Sequence, residues 1–135
     1  MWTIELIGVE ATLTLGVALG RTAVAGTVAA LHGDLGAGKT SLSQGVGRGL
    51  GIQTSIVSPT FILMAEYEDG RLPLLHADAY RLTGTEARSV GLDEAVESWP
   101  GVALVEWAGR VPDALPEDHL DIRIAHAENG RTVTI

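Results

Sequence analysis

Eight residues constrain this chain more than any others: Gly33-Asp34-Leu35-Gly36-Ala37-Gly38-Lys39-Thr40 fits the pattern G-x-x-x-x-G-K-[ST] in full. The pattern calls for a turn whose successive backbone N–H groups point at one centre. Gly33, Gly36 and Gly38 permit such a turn, because no Cβ blocks the approach of a phosphate. Upstream, Thr27-Val28-Ala29-Ala30-Leu31-His32 reads as a short buried strand, and downstream Ser41 to Leu50 reads as a helix closed by Gly51. A strand, a glycine turn and a helix N-terminus in that order form an anion site, since the positive end of the helix adds to the backbone donors. Lys39 reaches the β- and γ-phosphates, and the Thr40 hydroxyl offers a hard oxygen to Mg²⁺.

Phosphoryl chemistry on such a loop needs a second acid to hold Mg²⁺ or orient water, placed just after an apolar strand. Two residues meet that description. Glu106 follows the continuous apolar run Val102-Ala103-Leu104-Val105, and Asp78 follows Leu74-Leu75-His76-Ala77. Each could equally be a strand-end carboxylate capping the next helix, and the stronger apolar run favours Glu106 as the metal-side acid. Ser58-Pro59-Thr60 lies about twenty residues beyond the loop, where many nucleotide hydrolases keep a γ-phosphate sensor, although the composition suits an ordinary turn. His76 has no second histidine at metal-ligand spacing, which favours a packed or surface role over ligation. Trp2, Trp99 and Trp107 are too scattered for a base-stacking platform, so core or interface packing is their default role.

Lys39 is the only lysine among 135 residues, which excludes the Asn-Lys-x-Asp segment used to read guanine and makes an adenine nucleotide the better fit. Nine basic against seventeen acidic residues leave a net charge of −8. Nucleic-acid affinity depends on neutralising phosphates, so a chain of this charge is not expected to bind DNA or to contact RNA without basic partners. With no cysteine there is neither a disulfide framework nor a thiolate metal site. The N-terminal residues lack the basic and apolar regions of a signal peptide, and no stretch is long and uncharged enough to span a bilayer. The expected location is the cytoplasm, away from membranes.

Residues 1–135 read as a single domain. Thr3 to Ile7 suits a first strand and Glu10 to Thr22 an amphipathic helix. Phe61 to Tyr67 and Leu72 to His76 flank a hairpin turn at Asp69-Gly70. Thr85 to Ala95 is rich in helix formers but is broken at Gly91. Leu120 to Ile124 alternates like a half-buried strand and can pair with Arg131 to Ile135 across Glu128-Asn129-Gly130. Interleaved strands and helices predict an α/β fold. The expected form is a P-loop NTPase-like three-layer sandwich, its mostly parallel central sheet carrying antiparallel additions, with ligand at the carboxyl ends of the strands.

Four segments in order resemble the TsaE family: Gly33 to Thr40, Ser58-Pro59-Thr60, His76-Ala77-Asp78-Ala79-Tyr80-Arg81-Leu82, and Val105-Glu106-Trp107. These are small bacterial ATPases required to make threonylcarbamoyladenosine beside the anticodon of tRNAs. The resemblance runs from about Glu10 to Arg131. It implies ATP on Leu35 to Thr40, Mg²⁺ held by Thr40 and Glu106, and a nucleotide-responsive loop containing Ser58 and Thr60. It also implies catalytic roles for Lys39, Asp78 and Glu106, and places Val9 and Arg131 at the base end of the nucleotide. The implied partners are the synthase subunits TsaB and TsaD, with tRNA contacted only through that complex. Phe61 departs from the tyrosine usual in the family, so a hydroxyl contact there is lost.

Two other readings compete on the residues alone. A small-molecule P-loop kinase would share the loop but needs an acceptor pocket and an arginine-bearing lid, and the eight arginines form no obvious cluster in sequence. A nucleotide-gated binding module would bind without meaningful hydrolysis.

Overall fold

The computed structural model describes residues 2–34, 36–59, 63–83 and 85–135. Seven strands form one sheet: β1 (Thr3–Leu6), β2 (Val28–His32), β3 (Met64–Tyr67), β4 (Leu74–Asp78), β5 (Val102–Glu106), β6 (Leu120–Ala127) and β7 (Gly130–Thr134). Their spatial order is β1-β7-β6-β2-β5-β4-β3. The central strands β6, β2, β5 and β4 run parallel, while β1 and β7 extend one side antiparallel and β3 the other. The parallel centre with antiparallel additions agrees with the expectation from sequence. So do both hairpins, with β3 paired to β4 and β6 to β7.

Side chains on a strand alternate between faces, and here the alternation sorts two cores. Ala29, Leu31, Val102 and Leu104 face helices α1 (Gly8–Thr22) and α2 (Lys39–Gly49). Val28, Ala30, Ala103 and Val105 face α3 (Glu86–Ser89) and α4 (Leu92–Ser98). The break foreseen at Gly91 separates α3 from α4, and its φ of 77° is one that glycine adopts without the Cβ penalty. Both faces of β2 and β5 are covered, which is why their sequences are continuous apolar runs rather than alternating ones.

Helix α1 begins at Gly8, two residues before the amphipathic pattern suggests, because its first turn is exposed and carries no core signal. It packs against α2 through glycines. Gly16 and Gly20 lie against Gly45 and Gly49 so closely that a Cβ on Gly16 would stand 2.8 Å from the Gly45 Cα. This approach sets the start of α1 beside the Gly33 to Thr40 loop, where buried Thr12 faces Gly38. Among the described residues no helix is long and apolar enough to cross a membrane.

Candidate functional site

Parallel β2, β4 and β5 end at the same edge of the sheet. Register there pairs Leu31 with Glu106 and Glu106 with Asp78, so the glycine loop after β2 opens beside both acids predicted from sequence. Gly36 and Gly38 adopt left-handed φ values of 78° and 116°, and α2 starts directly at Lys39. Within the loop the Ala37 N–H donates to the Asp34 carbonyl at 3.0 Å, and the first intrahelical bond runs from the Leu42 N–H to the Gly38 carbonyl at 2.9 Å. The N–H groups of the first helical residues precede that bond and have no intrahelical acceptor, so they are free to serve an anion.

Lys39 is 5% exposed. Its ammonium donates to the carbonyl of Gly33 and, at 3.1 Å, to that of Asp34. It also lies 4.1 Å from the centroid of the Trp107 ring. Burial lowers the Lys39 pKa from its ordinary value, and the charges of Glu106, Asp78 and Asp34 pull the other way. This is a cation held by loop carbonyls and an aromatic face rather than by a direct ion pair. Such contacts can be exchanged for phosphate oxygens at modest cost.

Asp78 and Glu106 are both almost wholly buried. Asp78 accepts the Tyr80 N–H through Oδ1 at 2.9 Å and faces the Ser58 hydroxyl through Oδ2 at 3.4 Å. Glu106 accepts from His76 Nε2 through Oε2 at 2.5 Å. His76 is fully buried and among the described residues its Nδ1 has no partner, so a proton there would find no acceptor among them. The tautomer protonated on Nε2 therefore matches the surroundings, and the imidazole acts as a donor that fixes the Glu106 carboxylate.

Lys39, Thr40, Ser58, Asp78 and Glu106 line one cleft of about 320 Å³ together with Tyr80 and Trp107. An adjoining cavity of about 360 Å³ shares Gly36, Gly38 and Ser41 with it and is bounded by Val9, Thr12, Asn129 and Arg131. The two cavities meet at the loop, one lined by Lys39, Asp78 and Glu106, the other by Arg131 and no acid. A larger cavity of about 460 Å³, lined by Thr83, Arg88, Asp93 and Asp113, lies away from the loop, so chemistry rather than size selects the site. The predicted residues Leu35 and Thr60, and the departure at Phe61, lie outside the described residues.

The donor set suits Mg²⁺. The Thr40 hydroxyl and Glu106 carboxylate supply hard oxygens to the same cleft. Among the described residues no cluster of three or more histidine and acidic side chains could hold a metal by itself. Mg²⁺ keeps several waters and takes oxygens from substrate phosphates, so Thr40 and Glu106 are the residues that could hold it here.

Two features of the site were not read from the sequence. A packed or surface role is the expectation for His76, and it is fully buried; beyond packing, it stands on the same face of β4 as Asp78, two residues earlier, and reaches across to β5. Trp107 was expected in a core or interface. It sits at the site in a left-handed conformation (φ 57°), with Lys39 on its ring and Tyr80 4.9 Å away. The signal for both was adjacency, because each neighbours a predicted acid along its strand.

The chain is similar to known proteins over nearly its whole length. The sequence model of the family described as "Threonylcarbamoyl adenosine biosynthesis protein TsaE" matches residues 7–133. The "tRNA threonylcarbamoyladenosine biosynthesis protein TsaE" of Nostoc sp. is 46% identical over 96% of this chain and 82% of its own length. The protein of the same name from Bacillus subtilis is 46% identical over 81% of this chain and 68% of its own. The crystal structure of Bacillus subtilis YdiB superposes with a TM-score of 0.79 at 34% identity, covering 98% of this chain and 80% of that one. The chain belongs to the TsaE family.

Proposed function

We propose that this protein binds ATP with Mg²⁺ and hydrolyses it as a subunit of the machinery that makes threonylcarbamoyladenosine on tRNA. The names of its relatives support the pathway. The observation that carries the chemistry is the convergence of Lys39, Thr40, Asp78 and Glu106 on one cleft at the N-terminus of α2. Lys39 exchanges the Gly33 and Asp34 carbonyls for oxygens of the β- and γ-phosphates, and the α2 N–H groups face the phosphate chain. Thr40 and Glu106 would hold Mg²⁺, which would supply neutralisation of the phosphate charge. His76 donates to the Glu106 carboxylate and fixes its orientation. Asp78, anchored by the Tyr80 N–H and facing Ser58, is placed to order a water in line with the γ-phosphate. The adjoining cavity between Val9 and Arg131 takes the nucleoside.

The net charge of −8 fits a subunit that leaves tRNA contact to its partners, taken here as TsaB and TsaD, in a cytoplasmic setting. Intrinsic turnover is then slow until the partners complete the site. The test is phosphate release from ATP by the purified protein, alone and with TsaB and TsaD. A partner-dependent rise in free phosphate supports the reading. Transfer of the phosphoryl group to a small molecule would replace it with a kinase, and unchanged ATP in the full complex would leave a binding module.

A further inference from the structure

Arg131 is the second residue of β7 and lies 94 residues from Ala37 in the loop it touches. Its guanidinium donates from Nε to the Ala37 carbonyl at 2.8 Å, from Nη2 to the Gly36 carbonyl at 3.0 Å and from Nη1 to its neighbour Gly130 at 2.8 Å. In a planar trans peptide the carbonyl of one residue and the N–H of the next point in opposite directions. Fixing the Gly36 and Ala37 carbonyls on one guanidinium therefore turns the Ala37 and Gly38 N–H groups away from it. The Ala37 N–H closes the loop on the Asp34 carbonyl, and Gly38 lines both cavities. Arg131 is itself held in place: β7 pairs Arg131 with Leu6, and a Cβ on Gly130 would come within 3.0 Å of the Ile7 Cα.

We infer that Arg131 is a positioning residue that sets the phosphate-binding loop through its backbone rather than a side chain that reads the nucleoside. The inference deepens the proposed nucleotide site and rests on it. Two consecutive carbonyls require a planar fork, which explains arginine at this position, since a lysine ammonium can serve one of them but cannot span both in the same geometry. The consequence is specific. A residue acting on the base affects only ligands that carry a base, whereas one acting on the loop affects any polyphosphate.

The test measures calorimetric affinities of Mg-ATP and Mg-tripolyphosphate for the wild type, Arg131→Gln and Arg131→Lys, with amide hydrogen exchange of each protein in the absence of ligand. In Arg131→Gln both affinities are expected to fall together, by about tenfold, and exchange at Ala37 to accelerate while Leu104 and Val133 stay protected. Arg131→Lys should recover part of both affinities. A fall for ATP with tripolyphosphate unchanged would overturn the inference in favour of nucleoside contact. Unchanged affinities would also overturn it, as would loss of protection throughout the sheet, which would make Arg131 a residue of the fold at large. If the wild type bound neither ligand, the nucleotide reading itself would fail, an outcome distinct from all of these.

Discussion

His76 and Glu106 form a buried pair at the heart of the site, with Nε2 donating to Oε2 at 2.5 Å and side chains 0% and 3% exposed. Removing one member of a buried pair leaves the other's polar group without a partner, which costs more than removing both. His76→Leu should therefore destabilise the protein by about 3 kcal/mol. The double variant with Glu106→Leu should recover at least about 1 kcal/mol relative to the sum of the single changes. Urea unfolding of the four proteins checks this, and additive costs would show that the pair is not coupled.

The glycine contact between α1 and α2 predicts an inversion of ordinary helix propensity. Alanine normally favours a helix over glycine by about 1 kcal/mol. A Cβ at Gly45, however, would lie 2.9 Å from the Gly16 Cα, where only backbone can give way. Gly45→Ala should be destabilising by about 2 kcal/mol or more. Gly47→Ala, whose Cβ meets only the side chain of Ile56, should cost less. Thermal unfolding of the two variants ranks them directly.

Asp69 gives the fold a defined acid sensitivity. Its Oδ2 accepts the Gln53 N–H at 2.9 Å, the Thr54 N–H at 3.2 Å and the Thr54 hydroxyl at 3.3 Å, tying the segment after α2 to the β3–β4 hairpin. Chiefly through the Gln53 bond, its pKa in the folded protein lies below the ordinary 3.8. A carboxylate depressed on folding contributes stability above its unfolded pKa and loses it as pH falls through the folded one. The stability advantage of wild type over Asp69→Asn should thus be constant near neutral pH and shrink below pH 3.8. Denaturant unfolding at several pH values measures that difference.

What could be read in advance follows the range of the interactions. The loop from Gly33 to Thr40, the apolar runs of β2 and β5, the Asp69-Gly70 turn and the break at Gly91 are local, and periodicity and turn chemistry reveal them. Glu106 and Asp78 were legible as acids at strand ends because burial of the strand fixes where the first polar residue must emerge. The remaining relationships cross between strands. His76 meets Glu106 only because β4 lies beside β5, and Arg131 meets the loop only because β7 pairs with β6, the neighbour of β2. Strand order is not encoded in any single segment, so these contacts required the assembled sheet.

The central claim is that a nucleotide polyphosphate is bound by Lys39 at the start of α2. Calorimetric titration of Mg-ATP into the wild type and Lys39→Ala tests it most directly. The account predicts saturable one-site binding by the wild type. In the variant it predicts a loss of about ten- to hundredfold, the equivalent of one charge-assisted hydrogen bond of about 1.5–3 kcal/mol. Equal affinity in the two proteins, with both folded, would contradict it.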